Sequence, residues 1–507
     1  MTILNRIRFL RRFVGAIVFV SAQPVMALEC ADLLQLSSDT VVIGAVEERT
    51  SETLAQRTGP DLSLPRHCRL AATLKPRPTS QIEMEIWMPA DWNGKFLALG
   101  NGGWAGSISF AAMGTGLAAG FAVASNDTGH QGGSAAFAIG NRDKVVDFAW
   151  RAMHEMTVIS KAVIEAYYEQ SPRLSYFQGC STGGRQGMKE AQMYPTDFDA
   201  IIVGAPVNNM LTLNATQTDT MVRYLQDPDL ALAPEKKTLL HNAVMAACEI
   251  NDGIDDGFLN DPLSCSFDPS VLQCENRRDT VGCLSRDELS SVDRAYTGVA
   301  SEEDDRLLYP GHAKGSELGW RVPAAGTEPG ALQTDATRYL VYEDPDWDWR
   351  EFDLDRDLGL ARERASYIDA LQTDLSEFKA RGGKILFYHG WNDVGPSPLN
   401  TINYYNDVLA DMGPEQSDWM RLFLMPGMGH CAGGVGPDQA DFLGALDAWV
   451  ENDAAPERII ASRIRDGETD MTRPLCPYPQ VAVWDGAGDP NDAASFSCAM
   501  SADDTTR

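Results

Sequence analysis

Three absences limit what this 507-residue sequence can encode. Its ten cysteines include no Cys-x-x-Cys pair, which argues against zinc-thiolate sites and thioredoxin-like chemistry. Beyond the N-terminal residues, no apolar run is long enough to cross a bilayer. Basic residues are scarce, with 42 Lys and Arg against 72 Asp and Glu and a net charge of -30. Nucleic acid is therefore not an expected partner, because binding it requires clusters of positive charge.

The first 27 residues have the composition of an export signal. Four arginines among residues 6–12 precede a short apolar stretch at 13–20, and small residues near Ala27 offer a cleavage position. We expect residues 1–27 to be removed and the mature protein to be secreted or periplasmic, without a membrane anchor; the export route stays open. Cysteines in an exported protein favour disulfides, although their number alone leaves the pairing undetermined.

Buried strands and amphipathic helices alternate along most of the mature chain. Residues 82–88 alternate between apolar and polar, which predicts a strand with one exposed face. Apolar runs predict buried parallel strands at 95–99, 121–125, 174–178, 200–203, 384–388 and 421–425, and helices are predicted over 147–170, 184–194 and 438–452. This alternation indicates a parallel sheet with helices on both faces.

Gly179–Gly183 matches the Gly-x-Ser-x-Gly pattern of a nucleophile elbow, with Ser181 at its centre, and lies between a predicted strand and a predicted helix. A glycine-rich turn with an incidental serine is the alternative. A serine nucleophile requires a base, and the base requires an orienting acid. His430 and Asp393 each follow a predicted core strand, and with Ser181 they occur in the α/β-hydrolase order of nucleophile, acid and histidine. Asp127 is a weaker candidate acid because it precedes Ser181.

The order of these elements predicts an α/β-hydrolase fold with a large lid-domain insertion. The alternation stops between residues 207 and 380, a segment rich in Asp, Gly and Pro that holds four of the ten cysteines. We call residues 207–380 the insertion, and predict a catalytic domain made of residues 28–206 and 381–507. For the oxyanion, the Thr182 amide is one predicted donor, and the second is either Gly102 or Gly103.

Taken together, these motifs resemble those of the tannase and feruloyl esterase family, which includes the mono(2-hydroxyethyl) terephthalate hydrolase. The shared motifs are Gly100–Gly103, Ser125–His130, Phe148–His154, Gly179–Arg185, His389–Asp393 and Gly429–Cys431. In that family a cysteine beside the nucleophile is bonded to a cysteine beside the base, which implies a Cys180–Cys431 disulfide here. The resemblance also supports the pairs Cys30–Cys68, Cys248–Cys265, Cys274–Cys283 and Cys476–Cys498.

The insertion contains an acidic, turn-rich stretch at residues 248–258 that lacks the spacing of an EF-hand. From the residues alone, an acidic solvated turn is the favoured interpretation. The family resemblance instead implies a structural calcium site in the lid, with side-chain ligands Glu249, Asp252 and Asp256 and carbonyl ligands Ile254 and Phe258. Family members usually have Asp where Glu249 stands. No organic cofactor is expected.

The resemblance and the predicted triad together imply a secreted serine carboxylesterase. Its expected substrate is a small ester of an aromatic or phenolic acid, such as a gallate, a ferulate or a related cinnamate. The alternatives are a terephthalate monoester hydrolase, a serine peptidase of the same fold and a non-catalytic calcium-binding protein. Trp320, Trp347 and Trp349 of the insertion could wall an aromatic pocket or belong to the core. The oligomeric state is left open.

Overall fold

A computed structural model of the protein describes residues 28–55, 61–104, 106–249, 253–275, 281–321, 323 and 327–501. The predicted signal peptide lies outside these residues. In the part of the chain that is described, no helix combines the length and the apolar composition needed to span a membrane.

The strands of the described residues are β1 (Val41–Arg49), β2 (Glu52–Leu54), β3 (Leu62–Leu64), β4 (His67–Leu74), β5 (Ile82–Pro89), β6 (Lys95–Leu99), β7 (Ala122–Asn126), β8 (Leu174–Cys180), β9 (Ala200–Gly204), β10 (Val299–Ala300), β11 (Leu307–Tyr309), β12 (Lys384–Gly390), β13 (Met420–Met425), β14 (Gln439–Ala440), β15 (Ile459–Arg465), β16 (Glu468–Leu475), β17 (Gln480–Trp484) and β18 (Phe496–Met500). Nine of them form one sheet, in the order β1-β4-β5-β7-β6-β8-β9-β12-β13.

The α-helices of the described residues are α1 (Phe110–Ala118), α2 (Arg142–Val146), α3 (Ala152–Tyr168), α4 (Thr182–Met193), α5 (Met210–Gln226), α6 (Pro234–Cys248), α7 (Arg286–Thr297), α8 (Ala331–Asp335), α9 (Leu354–Ala365), α10 (Ser376–Ala380), α11 (Pro398–Met412) and α12 (Phe442–Asn452). The helix predicted over 147–170 begins with a π-helical turn, Asp147–Arg151, that continues into α3. The helix predicted over 438–452 starts only at Phe442, because β14 pairs with β15 just before it.

The six strands β7-β6-β8-β9-β12-β13 run parallel to one another. Every residue of β6, β7 and β9 is buried, as expected for strands covered by helices on both faces. Two neighbouring parallel strands, β9 and β12, are connected through the insertion. The predicted parallel sheet and the α/β-hydrolase fold are therefore confirmed.

The prediction of an exposed face on β5 is wrong. Within this strand only Glu83 is partly exposed, and every other residue is buried. Trp87 stacks on Phe110 of α1 with a ring-centroid distance of 6.0 Å, and its Nε1 donates to Glu85 at 2.7 Å. Arg69 on the neighbouring strand β4 also donates to Glu85. Glu85, which made the sequence pattern look amphipathic, is thus buried and hydrogen-bonded to Arg69 and Trp87.

Five disulfides connect all ten cysteines. The pairs are Cys30–Cys68, Cys180–Cys431, Cys248–Cys265, Cys274–Cys283 and Cys476–Cys498, which are the pairs that the resemblance implies. Four of them close short segments, whereas Cys180–Cys431 spans 251 residues and joins the last residue of β8 to the loop after β13.

Candidate active site

Ser181 lies at a sharp turn between β8 and α4. Its backbone has φ 65° and ψ -123°, in a region that only glycine adopts without strain. The flanking glycines permit the turn: a Cβ on Gly179 would lie 2.5 Å from the backbone of Gly183, and one on Gly183 would lie 2.9 Å from the Asn101 carbonyl oxygen. These contacts explain why small residues flank the serine in the sequence, and the strained turn has the geometry of a nucleophile elbow.

The three predicted triad residues are brought together from separate parts of the chain. His430 Nε2 is 2.9 Å from Ser181 Oγ, and His430 Nδ1 is 2.6 Å from Asp393 Oδ2. Asp393 follows β12 and His430 follows β13, so both lie at the carboxyl end of the parallel sheet. This hydrogen-bonded series can pass a proton from a serine hydroxyl to an imidazole that a carboxylate orients.

Asp393 is fully buried and remains ionised because donors surround it. Burial alone would raise its pKa, but hydrogen bonds from His389 and His430 outweigh burial and lower the pKa to about 2. The Gly395 amide donates to the other carboxylate oxygen at 2.8 Å. The acid of the triad is therefore a fixed negative charge facing the imidazole.

His389 is a contributor to this site that the sequence reasoning missed. Its Nε2 lies 3.1 Å from both Asp393 Oδ2 and the Pro396 carbonyl oxygen, so this nitrogen carries the hydrogen. Its Nδ1 then accepts from Thr401 Oγ1 at 2.8 Å. The only sequence signal for this role is its position in β12, four residues before Asp393. Which buried group it would contact depends on how the following loop returns to the strand.

The Cys180–Cys431 disulfide joins the residue before the serine to the residue after the histidine. The Cα atoms of the two cysteines are 6.0 Å apart. Because the bond attaches the two neighbouring residues covalently, it limits how far the His430 loop can move from Ser181. Cys431 has φ 64°, so the loop reverses direction at this point.

The predicted oxyanion residues lie side by side. Thr182 Oγ1 donates to the Gly103 carbonyl oxygen at 2.9 Å, which joins the start of α4 to the Gly100–Trp104 loop. Among the described residues, no acceptor takes a hydrogen bond from the backbone amides of Thr182, Gly102 or Gly103. These amides are available to a ligand.

Asp127, the alternative acid, serves a different purpose. Its Oδ1 accepts hydrogen bonds from the amides of Glu83 at 3.0 Å and Gly129 at 2.9 Å, which closes a turn after β7. Burial raises its pKa to about 7, and these amides only partly oppose the effect. Asp127 therefore stabilises a turn, whereas Asp393 is the acid that contacts His430.

A cavity of about 180 Å³ lies between the insertion and the loop that follows Asp393. Gly395 forms part of its wall, and a Cβ on Gly395 would lie 3.9 Å from the His430 ring. The aromatic side chains of the wall come from the insertion and are Tyr224, Tyr309 and Trp320. Trp347 and Trp349 instead pack with Val222 in a separate apolar cluster. Of the three tryptophans singled out in the sequence, only Trp320 lines this cavity.

The predicted calcium turn is partly described, because Asp252 lies outside the described residues. Glu249 Oε1 accepts the amide of Asp256 at 2.9 Å, which draws the two ends of the turn together. Asp256 Oδ2 also accepts a hydrogen bond at 2.5 Å from Arg473, which belongs to β16. Two carboxylates with the carbonyls of Ile254 and Phe258 are oxygen donors of the kind that calcium prefers. The donor chemistry of the described residues therefore fits a hard cation.

Comparisons with known proteins identify the family of this chain. Residues 68–499 match the family described as "Tannase and feruloyl esterase". An uncharacterized esterase of Xanthomonas campestris is 32% identical over 98% of this chain and 95% of its own length. A probable feruloyl esterase B-2 of Aspergillus flavus is 34% identical over 80% of this chain and 81% of its own. The crystal structure of feruloyl esterase B from Aspergillus oryzae superposes with a TM-score of 0.85 at 28% identity, covering 93% of this chain and 99% of that one. The chain belongs to the tannase and feruloyl esterase family and is a carboxylic ester hydrolase.

Proposed function

We propose that this protein is a serine esterase in which Ser181 is the nucleophile, His430 the general base and Asp393 the orienting acid. The observation that carries the proposal is the unbroken series of hydrogen bonds from Ser181 Oγ through the imidazole to Asp393. Ser181 attacks the ester carbonyl while His430 Nε2 takes the hydroxyl proton. Asp393 holds Nδ1–H and stabilises the imidazolium that forms.

The oxyanion that develops on the carbonyl is stabilised by the Thr182 amide and by the amide of Gly102 or Gly103. Backbone amides suit this task because their dipoles are already oriented before charge develops. His430 then protonates the departing alcohol, which leaves an acyl group on Ser181. Water activated by the same imidazole releases the acid and restores the serine hydroxyl.

For the substrate, we propose esters of aromatic or phenolic acids. Two observations support this class: several relatives carry the name feruloyl esterase, and the cavity that Gly395 separates from the His430 ring has aromatic side chains in its wall. A flat aromatic acyl group can pack against Tyr309 and Trp320. Gly395 leaves room between the cavity and the imidazole, because a side chain there would lie close to the His430 ring.

The test is a hydrolysis panel of methyl ferulate, methyl gallate, mono(2-hydroxyethyl) terephthalate and an aminoacyl amide, with Ser181→Ala as the control. We expect turnover of at least one aromatic ester and a loss of several powers of ten in Ser181→Ala. Preference for the terephthalate monoester would assign that alternative. Ser181→Ala activity within tenfold of wild type would refute the triad.

We further propose that the mature protein acts outside the cytoplasm. Two observations support secretion, namely the basic and apolar pattern of residues 1–27 and five disulfides, which form in oxidising compartments. N-terminal sequencing of the protein from culture medium and from periplasm tests the proposal. A mature chain that begins near residue 28 is expected, and an intact N-terminus in the cytoplasmic fraction would contradict it.

We also propose that the turn from Glu249 to Phe258 holds a structural calcium ion. Asp252, the two described carboxylates and the carbonyls of Ile254 and Phe258 would hold the ion. Bound calcium supplies positive charge that relieves the repulsion between acidic residues of the turn. The turn packs against the C-terminal hairpin through Ile254, which contacts the Cys476–Cys498 region. Calcium at this place would strengthen the contact between the insertion and the C-terminal strands.

A further inference from the structure

A second cluster of ionisable side chains joins α3 and α4 to the turn before β9. It comprises His154, Glu190 and Asp197, whose potential ligand atoms all lie within 4.8 Å of one another. Glu190 lies in α4, nine residues after Ser181. At a rise of 1.5 Å per residue, the cluster lies about 13 Å along the helix from the elbow. The cluster is therefore separate from the triad.

Glu190 is the unusual member of this cluster. Its side chain is almost fully buried, at 1% exposure, and among the described residues no N–H or hydroxyl group donates to its carboxylate oxygens, which instead lie within hydrogen-bond reach of the Asp197 carboxyl group. Buried carboxylates are normally paired or hydrogen-bonded, because removal from water strongly disfavours the ionised form. Two acidic side chains, Glu190 and Asp197, thus meet in a place that is shielded from water. The site as it stands requires either a proton or a positive charge.

The other neighbours do not supply that charge directly. His154 Nδ1 is 2.6 Å from Asp197 Oδ2, and its ring stacks on Tyr194 at a centroid distance of 3.7 Å. Lys161 is the nearby cation, but its ammonium donates to the backbone carbonyl oxygen of Asp197. The oxygens of Glu190 therefore lie close to an imidazole and a second carboxyl group, and no ammonium or guanidinium group of the described residues donates to them.

We propose that His154, Glu190 and Asp197 bind a divalent transition-metal ion of the zinc class. One imidazole nitrogen and two carboxylate oxygens form a donor set that zinc accepts, whereas calcium and magnesium prefer oxygen ligands alone. The His154 side chain is 27% exposed, so an ion can reach the site from solvent, and a water molecule can complete its coordination. A bound ion would satisfy the Glu190 carboxylate and tie α3, α4 and the turn before β9 together.

The decisive experiment titrates zinc into the full protein after transition metals have been removed with dipicolinate. Calorimetry should find one zinc site per chain, and Glu190→Gln and His154→Gln should each weaken it by at least about tenfold. His241→Gln is a matched control, because His241 Nδ1 lies 2.8 Å from Glu317 Oε2 in a similar pair outside the cluster. This control variant should bind zinc as the wild type does.

Two further measurements do not depend on the variants folding well. Wild-type protein should show cobalt(II) absorption bands typical of nitrogen and oxygen ligands. Its Tm should rise by about 3 °C when zinc is present at about 100 times its Kd. Neither measurement uses ester hydrolysis, so the result stands or falls independently of the proposed esterase mechanism.

Two outcomes would overturn the proposal. The first is a failure of the zinc titration, either because the wild-type protein binds no zinc or because Glu190→Gln binds zinc as tightly as the wild type. The second is an infrared band of a protonated carboxyl group at neutral pH, in zinc-saturated wild type, that disappears in Glu190→Gln. Such a band would show that Glu190 and Asp197 share a proton where the proposal places a metal ion.

Discussion

The imidazoles of His389 and His430 share one acceptor, the Oδ2 atom of Asp393, at 3.1 and 2.6 Å. His389 is fully buried, whereas His430 is partly exposed and reaches the serine. The first histidine therefore anchors the carboxylate from the interior of the protein, and the second one is the group that transfers the proton in the proposed mechanism. Anchoring from the interior keeps Asp393 ionised and fixes the oxygen on which His430 depends.

His389→Leu should lower kcat by up to about a hundredfold with KM little changed, because a displacement of Asp393 near 1 Å disturbs the orientation of His430. Without the His389 donor, the pKa of Asp393 should rise above its value of about 2. His389→Gln, whose amide can still donate to the carboxylate, should recover part of the lost kcat. Steady-state kinetics of both variants check this expectation.

His67→Leu controls for the simple loss of a buried histidine. His67 is 2% exposed in β4, and its Nδ1 is 2.8 Å from the Pro65 carbonyl oxygen. This variant should lose stability but keep kcat. Equal kcat losses in His67→Leu and His389→Leu, or no rescue by His389→Gln, would assign His389 a structural role only.

The double variant Cys180→Ala, Cys431→Ala should remain folded and lose most of its kcat. The sheet does not depend on the His430 loop, but without the bond that loop can drift from Ser181, at a cost of about a hundredfold in rate per ångström. Circular dichroism and ester turnover measure the two effects. Cys274→Ala, Cys283→Ala is the matched control, since this pair closes a nine-residue separation within the insertion. Full activity of the first double variant would remove any special role of this bridge.

Removal of calcium should lower the Tm more than it lowers the chemical rate. A cation at about 100 times its Kd raises the Tm of a chain of this size by about 3 °C, and the proposed calcium site in the insertion is distinct from the triad. Calorimetric scans test this expectation. They measure the Tm of the protein in chelator, and again after calcium or zinc has been added back. Asp256→Asn should abolish the calcium response, and Asp346→Asn, at an exposed acid of the insertion, should keep it. A Tm that does not respond to calcium would contradict the site.

His312 should make the protein less stable in mild acid. Burial lowers its pKa to about 4, and its Nδ1 has no hydrogen-bond partner among the described residues. Because the folded-state pKa is below the ordinary value of 6.5, the unfolded chain binds more protons between pH 6.5 and 4, and stability falls as the pH falls through that window. Protonation at this residue should cost about 2 kcal/mol at pH 5 relative to pH 7.

The His312→Gln variant isolates this effect, since glutamine does not titrate. Urea denaturation of wild type and variant at pH 7 and pH 5 gives four free energies of unfolding. The fall between the two pH values should be about 2 kcal/mol smaller in the variant. Other histidines titrate equally in both proteins and cancel. An identical fall in wild type and variant would show that His312 does not control acid stability.

Two kinds of feature could be predicted from the sequence of this protein: turns and strands set by neighbouring residues, and the order of these elements along the chain. Gly179–Gly183 between a strand and a helix predicts an elbow because the tight turn excludes side chains from its flanking positions. Apolar runs of strand length predict the parallel strands, since a buried strand is apolar on both faces. The order of Ser181, Asp393 and His430 follows from the order of the strands that precede them. Motifs resembling a known family extended this reading to the disulfide pairs.

Contacts between distant parts of the chain were decided only by the tertiary structure. Three such contacts depend on how separate elements pack. They are the contact of the Asp393 loop with His389, the burial of Glu85 on a strand predicted to be half exposed, and the contact between His154 and Glu190. Periodicity reports whether a side chain is apolar, but it carries no information about which buried polar groups will face one another. Those pairings arise from strand register and helix packing, which bring residues far apart in sequence into hydrogen-bond distance.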